Sequence, residues 1–97
     1  MKPVGRAVDR LLRGLGIAGE VERVGAIDRW AEVARAEFGD DAAETRAVGV
    51  EGSTLVVAVP SAAWSSEIRL RQRPLLARLA RASPRSGIRS IRTVSAR

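Results

Sequence analysis

Residues 42–82, AAETRAVGVEGSTLVVAVPSAAWSSEIRLRQRPLLARLARA, read as a β-hairpin whose second strand runs into a long, arginine-studded amphipathic helix. The first strand, Thr45–Glu51, carries Val48 and Val50 two residues apart. The second, Thr54–Val59, is Thr-Leu-Val-Val-Ala-Val, β-branched and nearly continuous, as a buried central strand should be. Gly52-Ser53 between them suits a two-residue turn, with glycine supplying a positive φ. Pro60 lacks the amide that would extend the ladder, so the strand stops there. Ser61 is a natural N-cap for a helix starting at Ala62. Trp64, Ile68, Leu75 and Leu79 share one side of that helix, with Leu76 close by. Pro74 falls inside the pattern and predicts a kink or break between about Leu70 and Pro74.

Working outward, residues 4–15 place Val4, Val8, Leu11, Leu12 and Leu15 on one helical stripe, with Arg6, Arg10 and Arg13 opposite. Gly14 and Gly16 end this first helix. A second helix over 22–38 has Val24, Ile27, Ala31, Ala34 and Phe38 on a narrow stripe and stops at Gly39. Trp30, Val33 and Ala26 fall to one side of it. That second patch is either buried by a neighbouring element or left as a partner-binding surface, and Trp30 and Val33 are taken as the candidate protein contact. Ser83–Gly87 is a turn, and Ile88–Val94 supplies a third strand. The order is α-α-β-β-α-β, an α+β two-layer domain over residues 1–97 with a small three-stranded sheet covered by helices. Its last strand can pair in parallel through a right-handed crossover. Residues 1–3 and 95–97 are expected to be mobile.

Composition removes whole classes of chemistry. With 97 residues the chain buries roughly 60–65% of its unfolded surface. It has no cysteine and no histidine, hence no disulfide, no thiolate nucleophile, no zinc site built from those ligands and no ordinary general base near neutral pH. Ser61, Ser65 and Ser66 have nothing to activate them. Asp40-Asp41 reads as a solvated turn, and no phosphate-binding loop is present. No enzymatic activity, cofactor, metal or small-molecule substrate is expected. The N-terminus lacks the apolar core of a secretory signal, and no apolar run is long enough to span a membrane. The expected location is cytoplasmic.

The net charge of +6 is divided unevenly. Residues 1–51 hold 8 basic and 10 acidic side chains, a net of −2, whereas residues 52–97 hold 9 arginines against Glu67 alone, a net of +8. A GC-rich coding sequence would explain the preference for Arg over Lys but not this asymmetry. Guanidinium forks suit phosphate. Arg69, Arg71, Arg73, Arg78, Arg81, Arg85, Arg89 and Arg92 are therefore the candidate nucleic-acid-binding residues, aided by Arg6, Arg10 and Arg13. The other reading of these charges is a solvated basic surface. No aromatic is interleaved with them, so sequence-specific stacking is not expected. Gly16-Ile17-Ala18-Gly19 matches the G-x-x-G clamp of KH domains. In an α-β-β-α-α-β KH order, however, the clamp belongs near Pro74, where no glycine stands, and residues 16–19 read as an interhelix loop.

Several of these residues together resemble the DciA family, bacterial loaders of the replicative DNA helicase. They are Trp30, then Gly52 with Leu55, Val57 and Val59, then Ser61-Ala62-Ala63-Trp64, Glu67-Ile68-Arg69, Leu75-Leu76 with Leu79, and Ile91-Arg92. The resemblance spans about residues 22–94. It implies a KH-like, non-catalytic adaptor that binds single-stranded DNA and the hexameric helicase and is associated with the nucleoid. Trp64 is assigned to the core, anchoring the third helix on the hairpin. The chain departs from the family pattern at Glu44-Thr45-Arg46-Ala47, where a His-Ser/Thr-x-Pro segment is common. It ends three residues after Val94, where many members continue into a tail, so a compact variant or the domain alone is implied. The alternatives are a KH-like RNA-binding or ribosome-associated module, and a purely protein-binding domain that meets an acidic partner.

Overall fold

The computed structural model describes residues 17–96, with side chains from Arg23 onward. The elements are α1 (Ile17–Phe38), a 3-10 helix (Gly39–Glu44), β1 (Arg46–Glu51), β2 (Thr54–Val59), α2 (Ala62–Leu70), α3 (Gln72–Ala82) and β3 (Ser90–Ser95). Among the described residues this is an α+β arrangement of three α-helices and a mixed three-stranded sheet in the order β1-β2-β3. The helix anticipated over 4–15, with Arg6, Arg10 and Arg13, lies outside the described residues. Ile17, Ala18 and Gly19 open α1, so the interhelix loop expected at 16–19 does not extend over them and the helix begins before residue 22.

The hairpin forms as anticipated. Glu51 pairs with Thr54, leaving Gly52-Ser53 as the loop. Gly52 has φ +60 and, among the described residues, no non-glycine has positive φ, the pattern of a type II′ turn. The first strand differs from expectation in one respect. Ala47 pairs with Val57 and Gly49 with Val56, so Val48 is an extra residue in a β-bulge. The bulge reverses the alternation: Ala47 is buried, Val50 packs against the core, and Val48 is 47% exposed. β3 pairs with β2 in parallel, from Thr54↔Ser90 to Val59↔Ser95.

The core lies on one face of the sheet, where Leu55, Val57, Val59, Ala47 and Ile91 meet helical residues Ala26, Trp30, Val33, Ala34, Ile68, Leu75 and Leu79. The buried stripe of α1 is thus Ala26, Trp30, Val33 and Ala34, at i, i+4, i+7 and i+8, rather than the stripe through Val24 and Ala31, both exposed. The helix is apolar on several sides, and the alanines flanking Trp30 admit the close approach that selects this one. Trp30 is 1% and Val33 3% exposed. Both side chains are taken up by the core, the first of the two outcomes the sequence leaves open, in place of an exposed protein contact.

Trp30 Nε1 donates to Thr45 Oγ1 at 3.0 Å, and Thr45 Oγ1 donates in turn to the Ala42 carbonyl at 2.8 Å. Two buried polar groups are satisfied by this relay. Trp64, by contrast, is only partly buried. Its ring meets Phe38 edge-on, with centroids 5.1 Å apart and planes at 81°. It therefore fastens the first turn of α2 to the end of α1, and it is Ile68 that roots α2 in the core. The indole's size made it the natural anchor in the sequence, but the innermost place is taken by Trp30.

Candidate nucleic-acid interface

The basic helix of the sequence is two helices with a corner between them. Proline lacks an amide proton and fits a helix only in its first turn, and Pro74 is the third residue of α3. The break falls at Arg71 (φ −106, ψ 21), within the span the sequence predicts. The Arg71 amide still donates to the Glu67 carbonyl (3.1 Å), and its own carbonyl accepts from the Leu75 amide (3.0 Å). The corner is thus hydrogen-bonded on both sides. At the other end of α2, Ser61 caps the helix as anticipated, its Oγ accepting from the Trp64 amide at 3.3 Å.

The structure sorts the arginines into two groups. On the α1 side, Glu37 accepts from Arg71 Nη1 and from Arg78 Nε, each at 3.1 Å. Its side chain is 13% exposed. Arg71 also meets Glu67 at 3.3 Å and lies over the Phe38 ring, 5.3 Å from its centroid. The Arg78 hydrogen bond, followed by that from Arg71, holds the Glu37 carboxyl below its ordinary value against the opposing effect of desolvation. Arg71 and Arg78 are thus committed to a clamp joining α1, α2 and α3. Arg81 lies on the same side, lining a surface groove of about 290 Å³ with Glu32, Val33, Ala36, Arg78 and Ala82.

On the opposite side, a groove of about 240 Å³ runs between α2 and β3, lined by Ser65, Ile68, Arg69, Gln72, Ile91, Arg92 and Thr93. No carboxylate lines it. Ser65 Oγ and Thr93 Oγ1 share a 2.8 Å hydrogen bond that ties the helix to the strand. Gln72 Oε1 accepts from the Ile91 amide at 2.7 Å, closing the start of the sheet edge. β3 is an edge strand and this amide faces away from β2, so it would otherwise lack a partner in the ladder.

Arg69, Arg73, Arg81, Arg85 and Arg89 are exposed and make no ion pair with a described residue. Arg92 pairs with Glu51 diagonally across the outer face of β2. Of the eight candidate arginines in the described residues, the structure brings Arg69 and Arg92 into one groove and puts Arg73 at the corner. Arg85 and Arg89 stand on the loop before β3. Arg71 and Arg78 are drawn to the other side.

Two contributors went unnoticed in the sequence. Gln72 is an uncharged residue among arginines, and its role depends on a strand 19 residues away. Leu70 is 78% exposed at the end of α2. Its position about 200° round the helix from Ile68 was the available signal.

Residues 3–93 match the family model described as "Dna[CI] antecedent, DciA". The chain belongs to the DciA family. That family is associated with helicase loading in DNA replication, and it is a loader or adaptor family. No curated protein matches the chain. Among the described residues, no helix of this DciA-family chain is long and apolar enough to cross a membrane.

Proposed function

We propose that this chain is a non-enzymatic, KH-like adaptor of the cytoplasm that binds single-stranded DNA and the hexameric replicative helicase, helping to place the ring on its strand. The observation that carries the DNA half is the acid-free groove between α2 and β3. It opens beside Arg69, with Arg73 at the adjoining corner and Arg85 and Arg89 on the following loop. These guanidiniums hold successive phosphates, while the paired Arg71 and Arg78 keep the corner in place. The order helix, hairpin, two helices, strand is compatible with a KH-like domain. The corner at Arg71 stands where a KH clamp would, but it has no glycine pair to bring its backbone against phosphates. Side-chain charge therefore replaces the backbone clamp. Binding should be salt-dependent and largely indifferent to sequence.

Membership of the DciA family supports the helicase half. The deciding experiment mixes the purified chain with the replicative helicase hexamer of the same organism and analyses the mixture by size-exclusion chromatography with light scattering. A complex of defined stoichiometry supports the adaptor reading. Absence of a complex while DNA binding persists leaves a nucleic-acid-binding module without a helicase role. A marked preference for RNA over DNA of the same sequence would then favour the RNA-binding alternative.

A further inference from the structure

We infer that Leu70 is a base-contacting residue, an apolar tip at the α2–α3 corner that packs against an unstacked nucleobase while Arg69 and Arg73 hold the flanking phosphates. This inference rests on the single-strand reading above and deepens it. Leu70 is 78% exposed, against 52% for Val24 and 47% for Val48, the other large apolar side chains that stand out from the described surface. It closes α2 directly before the break. Two neighbours in sequence, Arg69 and Arg73, are exposed and form no ion pair with a described residue.

The corner is also braced from several sides. Arg71, next to Leu70, is held by Glu37 and Glu67 and lies over Phe38. Helical hydrogen bonds enter and leave it on either side. An apolar side chain held out from a fixed corner loses little freedom when it meets a ligand.

The occupant follows from the surroundings. An apolar tip flanked in sequence by two guanidiniums that pair with no described carboxylate calls for a partner that alternates anionic and apolar groups at short spacing, and a single strand with splayed bases does so. The chain's three aromatics do not supply a free stacking platform here, since Trp30 is in the core and Phe38 packs on Trp64. Aliphatic side chains serve proteins elsewhere as wedges against bases, and Leu70 is placed to do the same.

The test measures binding of the full chain to fluorescent oligo-dT by anisotropy across a salt series, with an abasic strand of equal length and charge as comparison. Because Leu70 is exposed, Leu70→Ser should keep its thermal melting point. It should bind oligo-dT about five- to tenfold more weakly at every salt concentration, from the apolar area it no longer covers, with an unchanged salt slope. The wild type should lose a similar factor on the abasic strand, and Leu70→Ser should bind both strands alike. Leu70→Phe should restore or exceed wild-type affinity. Equal binding of the wild type to both strands, or no loss in Leu70→Ser, would overturn the assignment while leaving the phosphate contacts intact. Loss of the helicase complex in Leu70→Ser with DNA binding unchanged would also overturn it, making Leu70 a protein contact. Failure of the wild type to bind any strand would remove the single-strand reading itself.

Discussion

The division of the arginines into paired and unpaired sets gives a quantitative prediction for DNA binding. Each phosphate neutralised on a single strand contributes about 0.7 to the slope of log K against log salt. Changing Arg69, Arg73 and Arg89 together to Gln removes three cations that pair with no described residue and should flatten the slope by about 2. Between about 50 and 200 mM salt, each lost contact is worth roughly a 2.6-fold change in salt sensitivity, so the triple variant should be nearly twentyfold less salt-sensitive over that range. Changing Arg71 and Arg78 to Gln removes two charges and breaks the bonds to Glu37. It should leave the slope within about 0.3 of wild type while lowering the melting temperature. Fluorescence anisotropy on oligo-dT at five salt concentrations, with a thermal melt of each variant, separates these outcomes. If the Arg71/Arg78 variant flattens the slope as much as the triple one, the clamp does not withhold its arginines from DNA and the sorting is wrong.

Trp30→Ala should destabilise the domain by about 4 kcal/mol and Trp64→Ala by about 2, because the first empties a fully buried site and the second removes a partly buried contact at the edge of the core. Urea unfolding giving equal losses would contradict the places assigned to the two indoles. Thr45→Val keeps the shape but leaves the Trp30 N–H unpaired, and should cost about 1–3 kcal/mol. In a Trp30→Phe background the same change should cost markedly less, and a strictly additive pair would mean the bond is absent. The Glu37 carboxyl has its pKa lowered by Arg78 and Arg71 in the folded state. Its contribution is therefore complete above its unfolded value, near pH 4.5, and is lost as pH falls through the lower folded value. Melting temperatures from pH 6 down to 3 should fall less steeply in Glu37→Gln than in wild type, and parallel profiles would show that the clamp does not set acid stability.

What was legible in the sequence is what is local in the chain. Gly52-Ser53 makes the turn, Pro60 ends the strand, Ser61 caps the helix, and Pro74 breaks it within a few residues of itself. Each acts through its own φ, amide or hydroxyl, so one sequence suffices to read it. The face of α1 was misread because its apolar residues run round the helix. Only the sheet and α3 decide that Trp30 and Val33 are inside while Val24 is out. The bulge at Val48 was invisible for a related reason: strict alternation in a strand presumes an uninterrupted ladder, and the pairing partner alone reveals the extra residue.

The arginine pairings lay furthest from view, since Arg71 and Arg78 find Glu37 across 34 and 41 residues. They also change what the charge asymmetry means. The basic half of the chain is not wholly a basic surface, because the acidic half lends it Glu37 and Glu51. The Glu51–Arg92 pair is exposed on both sides, so it is worth little and a phosphate can replace the carboxylate. The Glu37 clamp is more enclosed and bonded twice over, and it stays closed. Arg92 thus remains available to DNA although it is paired, whereas Arg71 and Arg78 do not, and burial of the carboxylate separates the two cases. The proposed DNA-binding track is accordingly narrower than the arginine count suggests. On the proposed reading it lies beside the α2–β3 groove, at the corner and on the loop before β3, with the clamped arginines holding that corner against α1.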